Sequence, residues 1–230
     1  MGLMRWLWRA LLGLVLLLVL LPPAALALYR YVAPPVTPLM LIRQWEGAPI
    51  RQVWRPLTRI SPRIQAAVVA AEDSRFCLHA GFDWEAISKD LAANERGGRL
   101  RGASTISQQT AKNLLLWPDR TWLRKGAEAY VTMLMEAMWP KARILEIYLN
   151  IIEWGPGIYG VEAASEAYFG SDNMSLTPAR AALLASVLPN PRRWSPARPT
   201  AYVEQYAHTI AARVGELGPA QRPPCLARRG

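Results

Sequence analysis

Ser61-Pro-Arg-Ile-Gln-Ala-Ala-Val-Val-Ala-Ala-Glu-Asp73 spells out a helix from its first residue to its last. Ser61 caps an N-terminus, Pro62 is pre-organised for the first helical position, and the mostly apolar run Ile64–Ala71 carries the helix to Glu72. The two acids at its end face the negative pole of the helix dipole, and burial disfavours an anion further, so the pKa of such a carboxyl rises. A carboxylate tuned in this way can act as a base near neutral pH. The bland reading of the same pair is a solvated acidic cap or a salt bridge to Arg75.

Outward from this segment the punctuation stays helical. Asp83 caps a second helix that ends at Gly97-Gly98, Ser104 opens a third, and Thr121 opens a long fourth that Pro140 stops. Residues 141–152 form a fifth, 160–169 a sixth ending at Gly170, 178–188 a seventh opened by Thr177-Pro178, and Thr200 caps a last one that stops at Gly218. Few stretches alternate with period two, so the body is expected to be all-α, without repeats. Residues 32–60 hold five prolines and only isolated apolar residues, and read as an extended stalk or juxtamembrane cover. The domain boundaries expected are 1–31, 32–60, 61–217 for the folded body, and a basic tail over 218–230.

The chain has 230 residues and a formal charge of +10. Beyond the apolar first thirty, about 200 residues remain, enough for one domain with one core. Two cysteines and two histidines supply neither a structural zinc site nor an iron–sulfur cluster, nor a disulfide framework. Residues 1–60 carry seven basic and one acidic residue, residues 190–230 seven and two, and the middle thirteen and fourteen. The charge therefore sits on the flanks (+6 and +5) and not on the body (−1), which suits anionic lipid headgroups better than nucleic acid.

Ala10 to Tyr29 is a run of twenty uncharged residues, just long enough at about 1.5 Å per residue to cross a hydrocarbon core of roughly 30 Å. Arg5 and Arg9 precede it, so the amino terminus stays inside and the body emerges outside. A cleaved signal peptide is the rival, with an apolar Leu11–Leu21, helix-breaking Pro22-Pro23, and Ala25-Leu26-Ala27 as cleavage site. Trp6, Trp8, Tyr29 and Tyr31 bracket the run as interfacial aromatics do, favouring the anchor. Either way the body is exported.

Three polar constellations carry chemistry. In Gly102-Ala-Ser-Thr-Ile-Ser-Gln-Gln-Thr-Ala-Lys-Asn113, Ser104, Gln108 and Lys112 are spaced by four, as are Thr105, Gln109 and Asn113, which puts all six on one side of a helix. A cation among amides and hydroxyls beside free backbone N–H groups suits a phosphate-bearing ligand, against the simpler reading of a solvated stripe. Arg124 and Lys125 lie four and three residues before Glu128, either as ordinary helix ion pairs or as cations for a diphosphate beside a second acid. Leu114-Leu-Leu-Trp-Pro118 is either core or an edge that dips into lipid. The segments around Lys141–Asn150 and Gly157–Gly170 read as scaffold, with glycines where backbones turn.

In this order and spacing the blocks closely resemble the peptidoglycan glycosyltransferases of glycosyltransferase family 51, over roughly residues 60–200. The residues that carry the resemblance are Glu72-Asp-x-x-Phe-x-x-His-x-Gly81, Gly102-x-Ser-Thr-Ile-x-Gln-Gln-x-x-Lys-Asn113, Arg124-Lys-x-x-Glu128, Lys141-x-x-Ile-Leu-Glu-x-Tyr-Leu-Asn150 and Gly157-x-x-Gly-x-x-Ala-Ala-x-x-x-Tyr-Phe-Gly170. The likeness is to the monofunctional members from Gram-negative bacteria: Ser171-Asp-Asn173 stands alone, without the Ser-x-x-Lys and Lys-Thr-Gly of a transpeptidase domain.

The resemblance implies a lysozyme-like helical fold at the inner membrane, facing the periplasm. It implies lipid II polymerisation into β-1,4-linked strands, with inversion at MurNAc C1 and release of undecaprenyl diphosphate. Glu72 would be the base and Glu128 the second acid; Lys112, Arg124 and Lys125 would receive the diphosphate; Ser104, Thr105, Gln108, Gln109 and Asn113 would shape the donor pocket. A divalent cation (Mg or Mn) on the diphosphate is compatible with this chemistry, although no fixed cage of protein ligands is visible. The partners implied are lipid II, the growing strand, membrane lipids and other cell-wall synthesis proteins. The alternative is a lytic enzyme on the same fold, using a raised-pKa glutamate as an acid with no need of the cation set; an inert tethered scaffold is a third. Cys77 fills a variable slot near the base, either as an oxidation-sensitive thiol or as a buried inert one.

Overall fold

The structure, a computed structural model, describes residues 2–95, 104–119, 121–216 and 224–226. Its elements begin with α1 (Gly2–Tyr29), α2 (Pro38–Trp45), β1 (Arg51–Gln52), α3 (Pro62–Glu72), α4 (Trp84–Glu95), α5 (Ile106–Leu115) and α6 (Trp122–Met138). They continue with α7 (Lys141–Ile151), β2 (Glu153–Gly155), β3 (Ile158–Tyr159), α8 (Val161–Phe169), α9 (Pro178–Ser186) and α10 (Ala201–Glu216). The body is predominantly helical, as its punctuation implies. The expected stops at Gly97-Gly98 and Gly218 lie outside the described residues.

α3 forms as the sequence dictates, with Ser61 accepting from Arg63 N and Pro62 at the first position. Ile64 to Ala70 are buried on every side, because α9 and α10 cover one flank of a helix that is apolar all round. α5 packs between α6 and α7. One continuous apolar cluster joins these layers and reaches from Leu26 to Leu226.

Three expectations are corrected. α1 is not broken at Pro22-Pro23 but passes straight through them. A proline withholds an N–H from the carbonyl four residues back; the Tyr130 hydroxyl on α6 donates to the Val19 carbonyl at 2.9 Å and fills that vacancy. The foot of α1 is docked: Leu26 is fully buried, Trp139 Nε1 donates to its carbonyl at 2.8 Å, and Arg143 donates twice to the Tyr29 carbonyl.

Residues 32–60 are not a bare stalk. Thr37 caps α2, and β1 pairs in parallel with β3, whose other neighbour is the antiparallel β2. Asn150 substitutes for a backbone partner, accepting from Arg55 N and donating to Arg55 O at 2.8 Å each. Glu146 accepts from Leu57 N at 2.9 Å. Pro38 and Pro56 stand where no N–H is needed, at the start of α2 and before the turn Leu57–Arg59. At Gly157 (φ +72°) a Cβ would lie 2.1 Å from the Pro49 carbonyl oxygen, so the β2–β3 turn can approach this segment only without a side chain.

Cys77 is not a thiol but forms a disulfide with Cys225, with Cα atoms 5.5 Å apart. The short turn Pro224–Leu226 lies against α7 with Leu226 buried, so this part of the expected tail belongs to the body. Two cysteines 148 residues apart carry no local signal that they meet.

Candidate active site

Glu72 ends α3 half-buried. Arg75, its nearest sequence cation, is drawn instead to Asp83 (3.2 Å) and Glu85 (2.7 Å), so the salt-bridge alternative is not realised. Among the described residues the one side chain that bonds Glu72 is Gln109, whose Nε2 donates to Oε2 at 2.7 Å. Burial pushes the Glu72 carboxyl above its ordinary value; the Gln109 bond and then Lys112 oppose this, and Asp73 adds to it. Asp73 has a different task, accepting from Ile106 N at 3.0 Å and facing His79 Nε2 at 3.0 Å, and so joins the α3 turn to the start of α5.

The polar stripe of α5 divides. Thr105, not Ser104, is the N-cap, and with Gln108 it forms a capping box; the Thr105 hydroxyl also donates to the Gly81 carbonyl at 2.6 Å. Both side chains are buried. Four-residue spacing shows which residues share a face, but not which of them the helix start consumes. Gln109, Lys112 and Asn113 line a cavity of about 340 Å3 with Tyr148, Glu153 and Arg43. Ser104 lines a second cavity of about 150 Å3 with Glu72, Thr105 and Arg213.

Arg124 and Lys125 both reach Glu128, Arg124 Nη1 at 2.6 Å from Oε2 and Lys125 Nζ on Oε1. Arg124 and Glu128 are buried, so this is an internal cation–carboxylate–cation group and not a surface pair. Lys112 makes no ion pair with any described residue. Burial holds its ammonium below the ordinary value; Glu128 and Glu72 pull it up, and Arg124 and Lys125 push it down. Lys112 thus feels both acids and both neighbouring cations; Lys112, Arg124, Lys125 and Glu128 together carry +2, or +1 with an ionised Glu72 counted, a charge that attracts anions. Both Glu128 oxygens accept from cations. Asp73, His79 and Asp83 do gather ligand atoms within 4.8 Å of one another, but Asp73 is held as above and Asp83 caps Ala86 N and pairs Arg75.

Tyr148 is the site residue that sequence reading passed over, since it sits in a helix read as packing; its hydroxyl donates to Gln109 Oε1 at 3.1 Å. Arg43, Glu153 and Arg192 were also unmarked, and reach the cavity wall from the 32–60 segment, β2 and the loop after α9. Leu114 and Leu116 are core, leaving Trp117 at the cavity rim.

The sequence profile described as Transglycosylase matches residues 40–215, which hold every residue of this site. The chain belongs to the transglycosylase family. Among similar proteins, a biosynthetic peptidoglycan transglycosylase of Rhodospirillum centenum is 59% identical over 213 residues, covering 92% of this chain and 90% of its own length. One from Caulobacter vibrioides is 49% identical (93% of each chain), and one from Shewanella oneidensis 48% identical (93% of this chain, 91% of its own). The family match begins at residue 40, so it takes in most of α2 and most of the 32–60 segment that sequence reading left outside the domain.

Proposed function

We propose that this transglycosylase polymerises lipid II, with Glu72 as base and the Lys112/Arg124/Lys125 group as diphosphate site. The observation that carries the reading is a carboxylate and a lysine, both half-buried, that feel each other's charge, neither of them in a salt bridge with any described residue. Glu72 takes the proton from the 4-hydroxyl of the acceptor GlcNAc as that oxygen forms its bond to MurNAc C1 of the growing strand. The C1–O bond to the diphosphate breaks, its electron pair stays on the departing oxygen, and the α-linkage becomes β-1,4 by one inverting displacement. Lys112 meets the charge that builds on the leaving oxygen, where a pre-placed cation acts most strongly. Glu128 acts here by orienting Arg124 and Lys125. A lytic enzyme would have no use for this cation set.

The reading also takes α1 as an uncleaved membrane anchor with the domain on the periplasmic side. Among the described residues α1 is the one helix long and apolar enough to cross a membrane. Cleavage after Ala27 would strip Leu26 from the core and the Val19 and Leu26 carbonyls from α6 and Trp139. A disulfide fits an oxidising compartment. Membrane lipids and other cell-wall synthesis proteins are the partners that this placement implies.

The test is to give the purified protein lipid II in one reaction and purified cell wall in another. Lysozyme-sensitive polymer from the first and no sugar release from the second is expected; sugar release without polymer overturns the reading. Lys112→Met should raise the KM for lipid II about tenfold or more, as loss of a charge-assisted contact does. An unchanged KM and kcat would remove Lys112 from the site.

A further inference from the structure

We propose that Tyr148 is a positioning residue that acts on the base through Gln109, and that Gln109 serves the base as much as the substrate pocket. This rests on the reading of Glu72 as base. Tyr148 is buried on α7, and its hydroxyl has one acceptor among the described residues, Gln109 Oε1 at 3.1 Å. A primary amide presents an acceptor on one side and donors on the other, so a donor fixed on Oε1 turns Nε2 the opposite way. That Nε2 lies 2.7 Å from Glu72 Oε2. If the amide turned over, Oε1 would face the carboxylate and the phenol would become the acceptor of Nε2, leaving its own O–H without a partner among the described residues, so the turn exchanges two good contacts for one. The phenol itself stays protonated, since burial and the nearby Glu72 and Asp73 push it far above its ordinary value.

Tyr148 therefore locks the amide in the orientation that favours ionised Glu72. Glu72 Oε1 accepts nothing from the described residues and is left to receive the acceptor hydroxyl proton. The Gln109 side chain also stands between the two cavities, lining the one that holds Lys112 while bonding a residue that lines the other. Gln109, which bonds the base, and Lys112 thus lie on one turn of α5.

The other groups facing Glu72 do not replace this contact. Asp73 is held by Ile106 N and His79, Lys112 acts only through its charge, the Tyr206 hydroxyl on α10 donates to the Ala71 carbonyl at 3.2 Å, and Arg213 and Asp83 line the smaller cavity without bonding the carboxylate.

The experiment is the pH dependence of lipid II polymerisation by the full chain with Tyr148→Phe, Gln109→Leu and the double variant. Tyr148→Phe should lower kcat several-fold with KM within about twofold, and should move the acid limb of kcat upward by about half to one pH unit, a part of the roughly one to two units that complete loss of a hydrogen bond to a carboxylate would give, because the variant loosens the Gln109 contact without removing it. Gln109→Leu should move the limb at least as far, and adding Tyr148→Phe to it should move it no further. A purely packing role predicts a lower Tm with the acid limb unmoved, and either that result or additive shifts overturns the proposal. Absence of polymer from the wild type would instead overturn the activity on which it rests.

Discussion

Glu72 is expensive to keep ionised, and its cost to the fold can be separated from its use in catalysis. A carboxyl whose folded pKa lies above its unfolded one contributes stability below the unfolded value, and that contribution is lost as pH rises through the folded value. Burial raises Glu72 from about 4.5, so at neutral pH its charge opposes folding. Glu72→Gln should therefore have a Tm above wild type at pH 7–8, with a gap that closes as the pH is lowered through the raised pKa; thermal melts across pH check this, and a lower Tm at pH 8 contradicts it. Glu128 is paired on both of its oxygens, by Arg124 and Lys125. Arg124→Met leaves a buried carboxylate with only the half-exposed Lys125, and should cost about 2–4 kcal/mol in a denaturant titration. Glu72 was legible in the sequence because two acids end an apolar helix. Tyr148 was not, because one phenol in a packing helix looks like any other buried aromatic until its partner 39 residues away is known.

Helices whose caps are local, α3, α6 and α9, were legible to within a residue or two, since Ser61, Thr121 and Thr177 bond their own first turns. The 32–60 segment was not, because its structure is supplied by Asn150, Glu146 and β3, about a hundred residues away. The same distance hid the continuity of α1 through its prolines, which depends on Tyr130. Gly157 tests this element directly. Gly157→Ala meets both an unfavourable φ and the Pro49 carbonyl, and should destabilise by about 2–4 kcal/mol, read from denaturant midpoints. A loss below about half a kcal/mol would mean that the β-segment does not brace the body.

For the molecule as a whole, the foot of α1 and the Pro224–Leu226 turn are fastened to the core on which the site is built. The disulfide closes a separation of 148 residues, for which chain entropy sets a ceiling of about 5 kcal/mol. Cys225→Ser, or reduction of the wild type, should lower Tm by several degrees; equal melts with and without reductant contradict the fastening. The anchor end predicts a contrast between truncations. A protein beginning at residue 19 keeps Leu26 in the core, whereas one beginning at residue 31 loses it and should be less stable by about 2–5 kcal/mol, the range for vacating a buried leucine site. The most direct test of the account is single-turnover incubation of wild type and folded Glu72→Gln with lipid II, followed by separation of the glycan on a gel before and after lysozyme digestion. The account predicts lysozyme-sensitive polymer from the wild type alone; polymer made by Glu72→Gln at a comparable rate would contradict it.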